Sequence, residues 1–150
     1  MNYPIRKATE KDLSRIGEIL VFVKRIKYRP IFKNDTFSFG EELQVISVAR
    51  QCSKPEILSK MYVYDDGIIK GLIQIDKDEL VQLYVDYFFW NQGVGSALLD
   101  YAIQVNNVSF LWALEKNKDA IRFYERHGFH LTDTKKLEEG TDEYLVMMKR

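Results

Sequence analysis

Hydrophobic side chains recur along this chain with two different periods, helical in the first sixty residues and strand-like after them. Residues 3–8 predict a short strand, and Thr9 is placed to cap the helix that follows. Residues 27–37 are rich in aromatic side chains and show no period, so we expect them to be irregular. The apolar positions of the first helix recur every three or four residues; they are Leu13, Ile16, Ile19, Leu20 and Val23.

A second helix is indicated by its polar start. Ser38 and Glu41 stand three positions apart, as the two members of a capping box do at a helix N-terminus. We expect this helix to run to about Gln51. Pro55 is expected to open a short helical turn or a loop after it.

The period then changes to two, which is typical of strands. Asp66-Gly67 separates two such segments and is a strong hairpin signal. The order β-α-α-β-β-β-α-β-α-β-β predicts a mixed α/β sheet with helices on both sides. The predicted strands cover 61–64, 68–75, 80–85, 108–114 and the regions near 129–133 and 143–149, with helices at 96–105 and 118–127.

The composition is that of an ordinary globular domain. The chain has 150 residues, 22 basic and 22 acidic, and we expect one domain over 1–150. Zero net charge argues against a dedicated nucleic-acid binder. The longest uncharged stretches, 87–99 and 101–114, are too short to cross a bilayer, and the first residues are too charged for a signal core. The single Cys52 cannot form an intrachain disulfide, so we expect an inert thiol and a cytoplasmic protein.

Residues 117–129, NKDAIRFYERHGF, predict a short helix with a cap at each end. Asn117 can accept a hydrogen bond from a free amide of the first turn. Gly128 suits the left-handed residue that ends a helix. Tyr124 falls on the inward face, where an aromatic ring is either a core residue or a functional phenol, and the helix alone does not decide between them.

A glycine-rich turn, Gln92-Gly93-Val94-Gly95, leads from the strand at 80–85 into the next helix. Bare glycines let the backbone approach a ligand closely, and the amides of residues 92–96 can converge on phosphate oxygens. The turn lacks the third glycine of a dinucleotide fingerprint, since Leu98 stands there, and it lacks the Gly-Lys-Ser/Thr of a nucleoside triphosphate loop. The pattern therefore indicates an anion site without naming its ligand.

Taken together, the turn, its helix, a buried strand and the pattern Asn117-x-x-Ala120-x-x-Phe123-Tyr124-x-x-x-Gly128-Phe129 resemble the GNAT superfamily of N-acetyltransferases. The order of elements is also similar to that family from the first strand to the last. The resemblance implies a mixed, mostly antiparallel, twisted sheet of about seven strands with a splayed pair of central strands. It also implies an enzyme that moves an acetyl group from acetyl-CoA directly to a primary amine, without a metal.

The resemblance also implies roles for individual residues. The Val85 amide would point at the thioester carbonyl, where negative charge grows. Asn117 would bond the pantetheine arm, and Tyr124 would lie near the sulfur and protonate the leaving thiolate, which a phenol can do at neutral pH. The CoA pyrophosphate would lie on Gln92, Gly93, Val94, Gly95 and Ser96, and the pantetheine arm would pair with Leu83, Tyr84 and Val85.

Glu79 is the candidate general base, because it matches by position the catalytic glutamate of some histone-acetylating members; many relatives place the base elsewhere or use a water chain. The alternative is an exposed, solvated glutamate. Histidine titrates in a suitable range, but His127 and His130 lie beyond the tyrosine helix, and we expect them to be structural. Trp90 departs from the family pattern, which has Arg or Gln there, so phosphate binding would rest on backbone amides. Residues 87–90 would be core, a homodimer contact or part of the acceptor site.

The amine acceptor is not specified by these motifs. We expect it to meet residues 24–38 and 134–142, which hold aromatic side chains and charges of both signs. A small amine, an amino sugar, a peptide N-terminus and a lysine side chain all fit, whereas no nucleic-acid or membrane partner is expected. A non-catalytic acyl-CoA-binding module is the alternative function, and dinucleotide binding is a third.

Overall fold

Seven strands and six α-helices make up residues 3–150, the part of the chain that this computed structural model describes. Residues 1 and 2 of the expected domain lie outside the described part. The strands are β1 (Ile5–Lys7), β2 (Met61–Asp65), β3 (Ile69–Asp76), β4 (Glu79–Val85), β5 (Phe110–Leu114), β6 (His130–Leu137) and β7 (Tyr144–Lys149). The helices are α1 (Leu13–Phe32), α2 (Asp35–Phe39), α3 (Val45–Cys52), α4 (Pro55–Leu58), α5 (Val94–Asn106) and α6 (Lys118–Arg126). Short 3₁₀ turns lie at Glu10–Asp12, Glu41–Leu43 and Tyr87–Phe89.

The strands form one open sheet in the order β1-β2-β3-β4-β5-β7-β6. Every neighbouring pair is antiparallel except β4 and β5, which run parallel. That parallel pair is short: Glu79 pairs with Phe110 and Leu80 with Leu111, and beyond these residues the two strands separate. The expectation of a mixed, mostly antiparallel sheet with two splayed central strands is therefore confirmed.

Helices cover both faces of the sheet, because alternate residues of each strand point to opposite sides. In β3, Leu72 belongs to the core under α1 and α3, and Ile73 belongs to the core under α5 and α6. The first core includes Ile16, Ile19, Leu20, Met61 and Val63. The second includes Leu80, Leu98, Leu99, Leu111 and Met148.

The entry into α1 is held to β1 by a buried carboxylate. Asp12 is 5% exposed and accepts hydrogen bonds from Arg6 Nη1 and Nη2 at 2.8 and 2.9 Å. The backbone N–H of Thr9 donates to the same carboxylate at 2.8 Å, so Thr9 stands at the N-cap position as expected, but the bond is accepted by the Asp12 side chain. The hydrogen bonds from Arg6 hold the pKa of Asp12 below its usual range.

The predicted irregular segment at 27–37 is wrong, since α1 continues to Phe32 and α2 follows almost at once. Pro30 lies inside the last turn of α1, where its missing N–H removes only one helical bond. Tertiary contacts compensate for that loss. The Tyr28 hydroxyl lies 2.8 Å from that of Tyr84, and Arg29 Nε donates to Asp35 at 2.7 Å.

The predicted capping box at Ser38 and Glu41 is also wrong. Ser38 is buried inside α2, and the next α-helix begins at Val45. Gly40 separates the two in an extended conformation, and a side chain there would collide with the carbonyl oxygen of Thr36. The extended backbone at Gly40 ends α2 and interrupts the helix that spacing alone predicts.

Candidate active site

A groove of about 1410 Å³ opens where β4 and β5 separate. Residues of α1, α5, α6 and the turn between β6 and β7 complete its walls. Its size suits an extended ligand together with a second, smaller molecule. The groove brings together residues that lie far apart in the sequence, among them Tyr28, Glu79, Gly95, Tyr124 and Glu138.

The edge of β4 that faces the groove has backbone groups without a strand partner, although the Val85 carbonyl accepts a hydrogen bond from Trp90. The Asp86 N–H donates to Lys70 in β3 at 2.9 Å, and antiparallel pairing alternates along a strand. Leu83 and Val85 therefore turn their N–H and C=O groups away from β3 and toward the gap. Tyr84 faces β3 with its backbone and packs its ring against the core under α1. Of the three residues expected to pair with a ligand, two thus present their backbone to the groove.

The glycine turn leaves backbone amides without a partner at the start of α5. Gly93 has a φ of +83°, which a residue with a side chain adopts only at a cost, and no side chain caps the helix. The first helical bond runs from Ala97 N–H to the Gly93 carbonyl at 3.0 Å. The amides of Val94, Gly95 and Ser96 thus have no partner within the helix, and they lie at its positive end.

Tyr124 lies on α6, which has the two caps expected from the sequence. Asn117 Oδ1 accepts the Ala120 N–H at 3.4 Å, and Gly128 ends the helix with a φ of +94°. The half-buried Tyr124 ring packs edge-on against Phe123 and Phe129. Within residues 3–150 its hydroxyl has no hydrogen-bond partner, and burial raises the pKa of Tyr124 well above its ordinary value. The phenol is therefore protonated at neutral pH and free to donate into the groove.

Trp90 takes part in the groove in a way that the sequence does not reveal. Its Nε1–H donates to the Val85 carbonyl at 2.6 Å, which holds the end of β4. Lys27 of α1 lies 4.5 Å from the Trp90 ring centroid and 3.7 Å from the Asp119 carboxylate. Lys27 of α1 thus places beside Trp90 a positive charge that the tryptophan itself cannot carry. Tyr87 and Phe88 point outward, at 54% and 80% exposure, so residues 87–90 divide between the surface and the groove.

Glu79 lies at the closed end of the groove, where β4 and β5 still pair. Burial raises the pKa of its carboxyl, and the opposing charge of Lys136 limits the rise. A rise of about 3.3 Å per residue places the Glu79 Cα about 20 Å from that of Val85 and about 13 Å from that of Leu83. A thioester at the Val85 amide would therefore be beyond direct reach of Glu79, and a proton would have to travel through water.

The wall formed by α1 adds polar groups that motif reading does not identify. The hydroxyls of Tyr28 and Tyr84 lie 2.8 Å apart, and Lys24 Nζ lies 5.9 Å from the Tyr84 ring centroid. Burial raises the pKa of Tyr84 well above its usual value and lowers the pKa of Lys24. The sequence names residues 24–38 as an acceptor region, but only the fold shows that α1 extends far enough to place these groups on the groove.

The two histidines differ in their surroundings. His127 Nε2 lies 3.1 Å from Ser96 Oγ, beside the anion site, and His130 is exposed on β6. The Cys52 thiol is buried, and burial raises its pKa, as expected for an inert thiol. Among residues 3–150, no cluster of three or more metal-ligating side chains occurs, and no helix has the length and apolarity to span a bilayer.

An open mixed sheet with one diverging parallel pair, and a helix N-terminus at the mouth of the gap, defines the architecture of GNAT acetyltransferases. Residues 58–131 match the model of the acetyltransferase (GNAT) domain. Over this segment, which is just under half of its length, the chain is similar to the GNAT superfamily.

Individual relatives agree with this assignment. Peptidyl-lysine N-acetyltransferase YiaC from Escherichia coli is 33% identical over 70 residues, which are 46% of this chain and 48% of that protein. The chain spans less than half the length of the curated relatives it matches. The solution structure of apo YjaB from Escherichia coli has a TM-score of 0.80 at 18% identity and covers 99% of this chain and 97% of its own. The structure of YncA from Salmonella typhimurium with its cofactor acetyl-CoA has a TM-score of 0.67 at 18% identity, covering 97% and 91%.

Proposed function

We propose that this chain is an N-acetyltransferase that transfers an acetyl group from acetyl-CoA directly to a primary amine. One observation carries the proposal: the free amides of α5, the free edge of β4 and the unbonded Tyr124 hydroxyl all face one groove. The YncA structure was solved with acetyl-CoA and shares this fold, which supports acetyl-CoA as the co-substrate.

Different residues along the groove bind different parts of the CoA molecule. The amides of 92–96 receive the pyrophosphate, because unpaired N–H groups and the helix dipole both favour negative charge. Leu83 and Val85 pair with the pantetheine arm as a further strand would, with Tyr84 supporting them from the core. Asn117 uses its side-chain oxygen to cap α6, so its amide N–H groups are left to donate to the arm.

The chemistry requires one acid, one base and an electrostatic site. A gap-facing amide of β4 stabilises the negative charge that grows on the thioester oxygen as the amine attacks. The carbon–nitrogen bond forms, the carbon–sulfur bond breaks, and the thiolate takes the Tyr124 proton. Glu79 removes the proton from the attacking ammonium through intervening water, and its raised pKa brings its basicity closer to that of the amine. Overall the ammonium loses two protons: one leaves through Glu79 to solvent, and the second, lost once the carbon–nitrogen bond has formed, restores the Tyr124 phenol whose own proton is now on the thiol.

The acceptor occupies the side of the groove lined by α1 and the turn between β6 and β7. This region offers the Tyr28 phenol, two lysines of α1 and four carboxylates of the turn, so it suits an amine that carries further polar groups. A small molecule, a peptide N-terminus and a lysine side chain all meet that description. YiaC is named for acting on peptidyl-lysine, and peptides belong in the first acceptor panel for that reason.

Thiol release from acetyl-CoA over a panel of small amines, amino sugars and peptides tests the proposal. The single cysteine is buried, so a thiol reagent has little protein background. We expect turnover with at least one acceptor class, and calorimetric binding of CoA and acetyl-CoA but not of NAD. CoA binding without turnover on any acceptor would instead establish a non-catalytic acyl-CoA-binding module. Absence of CoA binding would refute both functions.

A further inference from the structure

His127 connects α6, which carries Tyr124, to the first turn of α5, and the proposed mechanism gives it no role. It follows the last residue of α6, and its half-buried ring packs 4.6 Å from that of Phe123. Its Nδ1 lies 2.8 Å from the Phe123 carbonyl oxygen, and its Nε2 lies 3.1 Å from Ser96 Oγ in the first turn of α5. One imidazole thus joins the helix of Tyr124 to the anion site.

These two contacts determine where the imidazole carries its proton. A carbonyl oxygen can only accept, so Nδ1 carries the hydrogen in the bond to Phe123. A neutral imidazole has only that one N–H, and its Nε2 must therefore accept from the Ser96 hydroxyl. In this state the only donor of the Ser96 side chain is directed at the histidine and not at the anion site.

Protonation of the imidazole reverses the second bond. Nε2 then donates to Ser96 Oγ, and the hydroxyl hydrogen is free to turn toward another acceptor. The nearest place for that acceptor is the turn itself, where the amides of Val94, Gly95 and Ser96 have no helical partner. A protonated His127 therefore adds both a hydroxyl donor and a positive charge to the anion site.

We propose that His127 is a positioning residue for the CoA pyrophosphate, and that pyrophosphate binding is coupled to uptake of a proton by its imidazole. The inference rests on the proposed placement of CoA on residues 92–96. Since binding then favours the protonated form, affinity should fall as the pH rises through the range in which histidine titrates.

The charged groups around His127 do not supply a competing explanation. Within residues 3–150, the hydrogen-bond partners of the two ring nitrogens are the Phe123 carbonyl oxygen and Ser96 Oγ and not a carboxylate, and residues 91–95 contain no titratable side chain. On α5 the nearest acid along the helix is Asp100, which accepts a hydrogen bond from Tyr3 at 3.3 Å. On its own helix His127 follows Glu125 and Arg126, which are both exposed.

NMR titration of the two imidazoles tests the coupling directly, because the chain has only two histidines. Dephospho-CoA is the probe, since its pyrophosphate does not titrate near neutral pH and it lacks the 3′-phosphate that would. We expect saturating dephospho-CoA to move the midpoint of His127 to higher pH and to leave that of His130 in place. Attraction between a protonated imidazole and the pyrophosphate across a partly solvated site corresponds to about 3–10-fold tighter binding of dephospho-CoA by the protein with protonated His127.

Variants separate this role from simple packing. The change His127→Gln should remove the pH dependence of dephospho-CoA binding and raise the KM for acetyl-CoA at pH 6, with little change in kcat. The matched change His130→Gln should leave the pH dependence of dephospho-CoA binding and the KM for acetyl-CoA unchanged. S-acetyl-pantetheine, which has no phosphate, should bind without moving either midpoint.

The outcomes distinguish this inference from the proposed function. Binding of dephospho-CoA with both midpoints unmoved would overturn the coupling and leave the acetyltransferase intact. Failure of dephospho-CoA to bind would overturn the placement of CoA and the coupling with it. An equal midpoint shift with S-acetyl-pantetheine would show that burial of the ring, and not the pyrophosphate, moves the proton.

Discussion

The hydroxyl of Tyr124 offers the sharpest test of the proposed chemistry, because the change Tyr124→Phe removes one atom that has no partner in residues 3–150. The ring contacts, at centroid distances of 5.3 Å to Phe123 and 6.0 Å to Phe129, are retained. Loss of a bonded hydroxyl costs about 1 kcal/mol. Since no bond is lost here, we expect the free energy of unfolding to change by less than about 0.5 kcal/mol.

The effect on catalysis should be much larger. Losing a general acid lowers kcat by roughly 10²–10⁴-fold, which is about 2.7–5.4 kcal/mol of activation free energy. Acetyl-CoA affinity should change little, because the proton is transferred in the transition state and not in the ground state. Burial raises the pKa of Tyr124 above its ordinary value, so the phenol stays protonated between pH 6 and 9 and the loss should be the same across that range.

The assay is thiol release at saturating acetyl-CoA and acceptor, with single-turnover measurements to establish that chemistry is rate-limiting. The matched control is Tyr101→Phe, which makes the same chemical change on α5 beside Tyr62, away from the groove. We expect normal kcat for the control. A folded Tyr124→Phe protein with normal kcat in the chemical step would refute the role of general acid and make Tyr124 a core residue.

Three further changes test other parts of the site and the fold. Gly93→Ala should cost about 1–2 kcal/mol of backbone strain and lower CoA affinity at least tenfold in calorimetry. The control Gly67→Ala, at another positive φ in open space, should lose a similar amount of stability and leave CoA affinity unchanged. Glu79→Gln should lose activity mainly at low pH and regain it as the pH approaches the pKa of the amine. The raised pKa of Glu79 means that the folded protein favours the protonated carboxyl, so the thermal stability of the variant at pH 7 should not fall. A uniform loss of activity across pH would remove Glu79 from the mechanism. Asp12→Asn should lower the free energy of unfolding by about 1–3 kcal/mol at pH 7. This difference from wild type should shrink as the pH falls below about 4, because the Asp12 carboxylate is protonated as the pH passes through its lowered pKa. Urea unfolding at pH 7 and pH 3 measures the difference, and equal values at the two pH values would contradict the prediction.

Local signals in the sequence predict much of the fold because each depends on atoms a few residues apart. Asn117 caps α6 through an amide three residues away, and Asp66-Gly67 makes its hairpin with a φ of +109° at Gly67. The glycine turn at 92–95 likewise leads into a helix whose first amides are free. Period and punctuation were sufficient to obtain the strand order along the chain and the position of the anion site.

Local signals failed where a distant contact decides the outcome. The last turn of α1 contains Pro30 and shows no helical period, yet it forms because Tyr28 reaches Tyr84, 56 residues away. At Gly40 the miss is local: the extended residue ends α2 and interrupts the helix that the spacing of Ser38 and Glu41 predicts.

The sequence by itself predicted the resemblance to GNAT acetyltransferases, the glycine turn and the candidate acid, since short motifs carry all three. The tertiary structure alone decided which groups meet in the groove. The bond from Trp90 to Val85 follows from the path of the chain after β4, and the contact of His127 with Ser96 joins residues 31 positions apart. These distances result from packing two cores against one sheet, and no local pattern of residues encodes them.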